Sequence, residues 1–317
     1  MRPGIKAPAA LRVAAWALLA LSLAVPAQDK SKPTGFRIGV DVRMVTLEVS
    51  VLDGAGNWVK DLTEKDFQVF EDGRLQELVL FEKADAPITV GLVLDTSGSM
   101  RERLELLEEA VHTFLKRSNP DNQLFVVDFS HDKAELLADF TQDRDDIRDA
   151  IGEKMLAGGG TPLWDAVYLA IDRAAKGKFD RKAIVVISDG EDKDSYYSYA
   201  DVLKKVKTTD LQLYMISLQK HADDSLFDLG GMSRDEALRE LQELADTSGG
   251  RFFWPENLDE LVKMVASLAT ELRHQYRLGY HIAGVPETPA YRKLEVRLDR
   301  PEKYRLRTRK GYLTSTR

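Results

Sequence analysis

The sequence of 317 residues predicts an α/β fold: a doubly wound domain with a mostly parallel sheet, inserted in a small antiparallel β-sandwich-like domain. Near-continuous apolar runs alternate with segments of helical periodicity through the middle of the chain, which is typical of a parallel sheet covered by helices on both faces. Runs at both ends alternate apolar and polar residues, as half-buried antiparallel strands do. Neither end has enough strands for a stable sheet, so the two ends are expected to form one domain together.

The N-terminus has the order of a secretory signal peptide. Arg2, Lys6 and Arg12 precede an apolar run of 15 residues that ends in small residues. We predict a cleaved signal peptide over 1–27 and a polar linker over 28–35, and therefore a periplasmic or secreted protein. The alternative is an uncleaved anchor, although a spanning helix usually needs about 20 apolar residues.

Residues 36–86 are predicted to form the N-terminal half of the β domain. The alternation in "VRMVTLEVSVLD" indicates one strand, and two more flank a turn at Asp72-Gly73. Thr63 is expected to cap a short helical turn. Asp53 and Asn57 flank glycines in a way that faintly suggests calcium, but turn chemistry is the favoured interpretation.

Residues 87–275 are predicted to form the α/β domain. Its parallel strands are "ITVGLVLD", "QLFVVDF", "KAIVVISD", "LQLYMISL" and "GRFFWPE". The run "KAELLADFT" follows the second strand too closely for a crossover, so we predict an antiparallel edge strand there. Segments with one repeating apolar face are predicted to be helices, namely "RERLELLEEAVHTFLKR", "RDDIRDAIGEKM", "PLWDAVYLAIDRAAKG", "SYADVLKKVKTT", "SRDEALRELQELADTSGG" and "LDELVKMVASLATELRHQ".

Residues 276–313 are predicted to form the C-terminal half of the β domain, followed by a tail over 314–317. The runs "YRLGYHIAG", "YRKLEVRLD" and "YRLRTRKGYL" resemble strands. In the last run, Arg305, Arg307 and Arg309 alternate with less polar residues. For these arginines a solvated strand face is favoured over an anion-binding patch.

The composition excludes several classes of partner and site. The formal net charge of −7 becomes −10 once the predicted signal peptide is removed, and nucleic acid is not an expected partner because phosphate binding depends on Lys and Arg. The absence of cysteine excludes disulfides, thiolate metal sites and a lipid-modified cysteine. After signal cleavage no segment of the sequence is apolar enough for a stable membrane span.

Polar residues follow two of the predicted strands. Asp95, Ser97 and Ser99 lie in "DTSGSM" after the first one, Asp189 ends "AIVVISD", and Thr161 lies in the glycine-rich loop "GGGTP". Ligand sites in open α/β sheets form beyond the carboxyl ends of the strands, so these loops are expected to meet. Five oxygen donors without nitrogen or sulfur suit a hard divalent cation, with Mg²⁺ favoured.

Each feature has a simpler interpretation when it is taken alone. Asp95 with Ser97 is a common Asx turn, Thr161 before Pro162 is a helix N-cap pattern, and Asp189 before a glycine is a common strand-end turn. Their order on one predicted fold favours the metal site. Because hydroxyls are neutral, such an ion keeps much of its charge and is expected to bind a carboxylate of a partner protein.

These motifs resemble the metal-ion-dependent adhesion site (MIDAS) of the von Willebrand factor type A (VWA) family. The resemblance covers the α/β segment and implies that the metal is bound by Asp95, Ser97, Ser99, Thr161 and Asp189. It implies an adhesion or interaction module with Mg²⁺, with Mn²⁺ or Ca²⁺ as alternatives, and a last helix that moves on ligand binding. The flanking strands resemble a subgroup of secreted bacterial proteins, the VWFA-related acidobacterial type.

Two rival functions use the same oxygen atoms. A metal-assisted hydrolase would activate water with Asp189 or Glu191 as general base, but nothing in the sequence marks either residue as more than a ligand. A structural module would use the metal only to tie loops together. The sequence favours a binding protein that is not an enzyme, and it leaves the partner and the oligomeric state open.

Residues beside the predicted site carry weaker signals. Asp165, Glu191 and Asp192 are placed to hold waters around a metal, and ordinary helix-face or loop solvation explains them equally well. Tyr196, Tyr197 and Tyr199 form either a contact surface or a common exposed loop, and neither interpretation is favoured.

Overall fold

The computed structural model describes residues 42–83, 85–130, 133–154, 158–219, 234–283, 288–300 and 303–314. The predicted signal peptide over 1–27 and the predicted linker over 28–35 lie outside these residues. In the described part of the chain, no helix has both the length and the apolar character that crossing a membrane requires. The predicted domain boundaries stay predictions.

The described residues contain fourteen strands and six α-helices. The strands are β1 (Val42–Leu52), β2 (Phe67–Glu71), β3 (Arg74–Gln76), β4 (Leu78–Lys83), β5 (Thr89–Asp95), β6 (Gln123–Ser130), β7 (Lys133–Thr141), β8 (Lys182–Ser188), β9 (Gln212–Ser217), β10 (Arg251–Phe253), β11 (Gln275–Ala283), β12 (Tyr291–Leu298), β13 (Arg305–Arg307) and β14 (Gly311–Leu313). The helices are α1 (Leu104–Arg117), α2 (Arg144–Lys154), α3 (Leu163–Ala174), α4 (Tyr199–Lys207), α5 (Arg234–Ser248) and α6 (Leu258–Leu272).

The central sheet has the strand order β10-β9-β8-β5-β6-β7, with helices on both faces. Its strands are parallel except β7, which pairs antiparallel with β6 and confirms the predicted edge strand. Because successive side chains point to opposite faces, Leu92 and Leu94 pack in the core with α1, α2 and α6, whereas Val93 packs with α3, α4 and α5. Each such buried side chain contributes roughly 1.5–3 kcal/mol. The predicted doubly wound α/β fold is confirmed.

Two four-stranded antiparallel sheets lie outside the α/β domain, in the orders β13-β1-β11-β4 and β14-β12-β2-β3. Strands from before and after the α/β segment pair directly, from Val42 opposite Ala283 to Ser50 opposite Gln275. Both sheets contribute to one apolar core, in which Leu47 of β1 and Val69 of β2 are almost fully buried. The two ends of the chain therefore combine as the predicted fold class requires.

The turns predicted in the N-terminal half are present. Asp72 and Gly73 have φ angles of 48° and 79°, which is the positive-φ pair that a two-residue hairpin turn between β2 and β3 requires. Thr63 occupies the N-cap position of a 3₁₀ turn over Glu64–Asp66. Asp53 Oδ1 accepts a hydrogen bond from the backbone N of Asn57 at 2.8 Å, in agreement with turn chemistry at these two residues.

The prediction of a solvated arginine face on the last strand is wrong for two of its three residues. The run divides into β13 and β14, which belong to different sheets, and only Arg305 is exposed. Arg307 donates hydrogen bonds to the buried carboxylate of Glu271 at 2.9 and 3.0 Å, and Arg309 is only 8% exposed. Local alternation marked this face as polar, but the α/β domain packs against it and supplies acceptors for the two arginines.

Candidate functional site

The candidate site begins where β5 and β8 end. These strands are parallel neighbours, with Leu94 opposite Ile187, so the residues that follow them emerge at the same edge of the sheet. Asp95 is the last residue of β5 and is 0% exposed, and Asp189, directly after β8, is also buried. The fold thus places both predicted carboxylates at the carboxyl edge of the central sheet.

The loop after β5 carries the two predicted serines. The backbone N of Ser97 donates to Asp95 Oδ1 at 2.9 Å, which is the Asx turn that the sequence also allowed. The hydroxyl oxygens of Ser97 and Ser99 lie 3.0 Å apart. Ser97 is buried and Ser99 is exposed at the start of a 3₁₀ turn, so the pair of hydroxyls leads from the buried carboxylate to the surface.

Backbone hydrogen bonds hold the Thr161 loop against the other two loops. The N of Gly158 donates to the carbonyl of Thr96 at 3.0 Å, which links this loop to the loop after β5. The N of Lys193 donates to the carbonyl of Thr161 at 3.2 Å, which links it to the loop after β8. Thr161 itself is buried. Three loops that are distant in sequence therefore meet at one edge.

The helix-cap alternative for Thr161 is wrong. Helix α3 begins at Leu163, and Pro162 occupies the N-cap position without a capping side chain. The hydroxyl of Ser195, from the loop after β8, instead accepts hydrogen bonds from the backbone N of Trp164 at 3.0 Å and of Asp165 at 3.2 Å. Since another residue caps the helix, the position of Thr161 is explained by the loop junction rather than by capping.

Two residues that contribute to the site were missed by the sequence reasoning. The hydroxyl of Ser188 donates to Asp95 Oδ2 at 2.6 Å and accepts from the backbone N of Gly190 at 2.9 Å, so it fixes the second oxygen of the carboxylate. Arg103 Nη1 lies 3.4 Å from Asp189 Oδ2. Ser188 directly precedes a predicted ligand at a strand end, a signal that was available; Arg103 had no comparable signal.

The electrostatics of the site favour a bound cation. Burial and, after it, the negative charge of Asp189 raise the pKa of Asp95 to about 7, although hydrogen bonds from Ser188 and Ser97 oppose the shift. Two carboxylates and three hydroxyls, all oxygen donors, fit a hard divalent ion. Among the described residues no three His, Cys, Asp or Glu side chains are grouped to hold a metal, so binding here would depend on the hydroxyls.

The acidic residues beside the site organise its loops. Asp165 accepts hydrogen bonds from the backbone N of Tyr196 at 3.0 Å and of Tyr197 at 2.8 Å. Asp192 Oδ1 accepts from the hydroxyl of Ser195 at 2.5 Å. These contacts hold the segment that contains Tyr196 and Tyr197, the tyrosine segment, against the N-terminus of α3. This end of the helix comes directly after the Thr161 loop.

The tyrosine segment has one exposed ring, Tyr196, which packs against a ring that is itself held by stacking. The Tyr197 ring stacks on Tyr168 at 3.7 Å between centroids, and Lys205 Nζ lies 3.7 Å from the centroid of the same Tyr168 ring. Tyr196 meets Tyr197 edge-on and is 88% exposed. A ring that is both exposed and held in place is suited to contact another molecule.

The sequence of this region matches a known domain family. Residues 90–191 match the family model of the von Willebrand factor type A domain. The chain contains a VWA domain. All five predicted metal ligands lie within the matched residues.

Three known proteins are similar to parts of this chain. The uncharacterized protein sll0103 of Synechocystis sp. is 38% identical over 109 residues, which are 33% of this chain and only 26% of that protein's length. A von Willebrand factor type A structure from Catenulispora acidiphila covers 80% of this chain and 69% of its own, at 12% identity and a TM-score of 0.49. The structure of an aerotolerance-related membrane protein from Bacteroides fragilis matches 58% of this chain and 99% of its own chain, at 17% identity and a TM-score of 0.46.

Proposed function

We propose that this protein is a metal-dependent protein-binding module that holds an acidic side chain of a partner protein through a divalent cation. The cation is Mg²⁺, or alternatively Mn²⁺ or Ca²⁺, and the residues that would hold it are Asp95, Ser97, Ser99, Thr161 and Asp189. VWA domains typically mediate protein interactions, which agrees with a binding role.

The buried carboxylate pair carries this proposal. Asp95 and Asp189 are both buried at one sheet edge, where like charges repel each other strongly. Arg103 is the counter-charge of Asp189, with its Nη1 3.4 Å from Asp189 Oδ2. The hydroxyls of the serines and the threonine add donors without adding negative charge. When bound, the cation would neutralise the pair and supply positive charge for a carboxylate of the partner.

We propose binding without turnover. A hydrolase would need a carboxylate that is available to accept a proton from water. Glu191 Oε2 is paired with Lys193 Nζ at 2.5 Å, and Asp189 Oδ2 faces Arg103. Both candidate bases therefore have a cationic partner, which favours a binding site over a catalytic one.

We also propose a periplasmic or secreted location. The support comes from the sequence, in which basic residues precede an apolar run and small residues, in the order of a signal peptide. The strands around the VWA domain resemble the secreted VWFA-related acidobacterial type, which agrees with this location.

Magnesium titration and partner capture test the proposed function. Isothermal titration calorimetry should detect Mg²⁺ binding to the wild type and none to Asp95→Asn. Asp145→Asn, which removes an exposed carboxylate from α2, is the matched control and should bind Mg²⁺ like the wild type. Capture of an envelope protein should require Mg²⁺, be reversed by EDTA and be lost in Asp95→Asn.

The rival functions predict different results in the same experiment. Capture that persists in EDTA contradicts the proposal. Loss of folding in EDTA supports a metal that only ties loops together, and Mg²⁺-dependent turnover of ester or phosphate substrates supports a hydrolase. Tyr196→Ser should weaken capture without changing Mg²⁺ binding if the exposed ring contacts the same partner.

A further inference from the structure

A cavity of about 410 Å³ lies between the β sandwich and the VWA domain. Lys182, the first residue of β8, and Leu211, just before β9, are part of its wall. Asp189 follows β8 at the opposite end of the strand. The cavity is therefore remote from the proposed metal site, and its occupant does not depend on that proposal.

The wall of the cavity combines apolar surface with positive charge. Ile171, Leu211 and Ile282 supply apolar side chains from α3, from the segment before β9 and from β11. The charged side chains in the wall are three basic and one acidic: Arg43, Lys182, Arg309 and Asp210. A cavity of this size, whose wall offers apolar side chains beside a few charged groups, is suited to a small molecule.

Arg309 is the unusual member of this wall. Its guanidinium donates Nη1 to the carbonyl of Thr209 at 3.0 Å and Nη2 to the carbonyl of Thr46 at 2.5 Å. Its Nε is buried without a hydrogen-bond partner, and among the described residues no carboxylate lies within 4.0 Å of its nitrogens. Burial lowers the pKa of Arg309, and the more distant Asp210 opposes this only in part.

Neighbouring arginines of the same interface have carboxylate partners. Arg181 Nε lies 3.0 Å from Glu48 Oε2, and Arg307 Nη1 lies 2.9 Å from Glu271 Oε1. A buried charge without a counter-charge is costly, so proteins generally pair it. Arg309 has no such carboxylate among the described residues, and its side chain forms part of the cavity wall.

We propose that this cavity binds a small organic anion, a carboxylate on an apolar body. The positive charges of Arg309 and Lys182 attract the carboxylate, and the apolar body packs against Ile171, Leu211 and Ile282. Since β1, β11 and the VWA domain all border the cavity, an occupant contacts both domains at once.

A matched pair of probes tests the inference on the purified chain. In isothermal titration calorimetry, 4-phenylbutyrate should bind at least about tenfold more tightly than the neutral 4-phenylbutanol, a difference of 1.4 kcal/mol. Lys182→Gln should weaken the anion about three- to tenfold and leave the alcohol unchanged. Lys176→Gln removes the same charge from an exposed neighbour outside the cavity wall and should change neither probe.

A second variant addresses the buried guanidinium itself. Arg309→Met should abolish the preference for the anion while it keeps the apolar contacts. Because this change also removes two hydrogen bonds to carbonyls, the result counts only if circular dichroism shows a folded chain; otherwise Lys182→Gln decides. Equal affinity for the two probes, no binding of either at millimolar concentration, or equal effects of Lys182→Gln and Lys176→Gln would each overturn the inference.

Discussion

Opposite charges are paired at one end of strand β8, whereas two buried carboxylates lie near each other at the other end. Arg181 precedes the strand and pairs with the buried Glu48, which Arg277 also approaches at 3.5 Å. Asp189 follows the strand and lies near the buried Asp95, a like charge; Arg103 Nη1, 3.4 Å from Asp189 Oδ2, is a counter-charge for Asp189 but has no such contact with Asp95. Burial raises the pKa of both Glu48 and Asp95, but the neighbouring charges oppose the shift at Glu48 and add to it at Asp95.

This difference separates two kinds of buried charge. At the paired end of β8, defined by Arg181 and Glu48, opposite charges stabilise the fold; at the reserved end, defined by Asp95 and Asp189, like charges lie close together. Where opposite charges are paired, removing one leaves its partner buried and uncompensated, so the pair is part of what holds the two domains together. Where like charges are gathered, the folded chain is less stable by itself and gains from a cation. The same strand thus connects an end where buried charges are paired to the end that carries the proposed metal site.

The largest effect is expected at the paired end. Glu48→Gln should lower the free energy of unfolding by about 3–5 kcal/mol, because Arg181 and Arg277 lose their shared buried carboxylate. Urea denaturation measures the change. Glu82→Gln is the matched control, since Glu82 lies 3.8 Å from the same Arg277 but is half-exposed, and its loss should cost less than about 1 kcal/mol. Equal losses in the two variants would remove the distinction.

The next largest effect is the stabilisation that Mg²⁺ should give at the reserved end. With Mg²⁺ at one hundred times its dissociation constant, the wild type should gain about 2.7 kcal/mol in unfolding free energy, and Asp95→Asn should gain nothing. In chelator, Asp95→Asn should be at least as stable as the wild type, because it removes a buried like charge and keeps an acceptor for Ser97. A clear loss of stability for this variant in chelator would show that Asp95 is a structural residue.

A smaller effect is expected from the counter-charge at the reserved end. Arg103→Met should strengthen Mg²⁺ binding about tenfold, or 1.4 kcal/mol, because the guanidinium competes with a cation for Asp189 Oδ2. Calorimetric titration measures the affinity. Arg101→Met removes an exposed arginine from the same 3₁₀ turn and should leave the affinity unchanged. Weaker binding in Arg103→Met would mean that Arg103 supports the site.

The smallest effect is the pH dependence of stability that Glu240 on α5 causes. Burial and the charges of Glu236, Asp192 and Glu243 raise the pKa of Glu240 to about 7. Since the folded chain holds this proton more tightly than the unfolded chain, wild-type stability declines as pH rises from about 4.5 through 7. Glu240→Gln should remove only the part of this decline that Glu240 causes, since Asp95 has a raised pKa in the same range, and it should be more stable than the wild type above pH 7 by less than about 1 kcal/mol, because Glu240 is partly solvated.

Unfolding measured at several pH values separates this effect from a general loss of charge. Glu105→Gln, an exposed position on α1, should differ from the wild type by the same amount at every pH. A constant difference for Glu240→Gln as well would show that this carboxyl does not titrate in the predicted window.

Much of the α/β domain was readable from local patterns. The run over residues 183–187 is apolar on both faces and rich in β-branched residues, which is typical of a strand covered on both sides, and the structure confirms it as a parallel strand. Because parallel strands end at one edge, the approach of Asp95 to Asp189 also followed from the sequence. The residue that caps α3 did not, because Ser195 acts across 31 positions of chain.

The outer sheets show what local patterns leave out. The sequence indicated two strands around Asp72-Gly73, but not that the second run divides into β3, which pairs with β2, and β4, which pairs with β11 in the other sheet. The last arginines alternated like a solvated face, yet Arg309 reaches the carbonyl of Thr46, 263 positions earlier. Whether a polar side chain meets water or a partner depends on what packs over it.

The sequence by itself determined the type and order of the elements and the oxygen-bearing residues at the ends of β5 and β8, because strand periodicity, apolar runs and strand-end turns are properties of neighbouring residues. The tertiary structure decided which buried charges are paired and which are not. Pairing depends on distances between residues that are tens to hundreds of positions apart, and such distances leave no periodic trace in the chain.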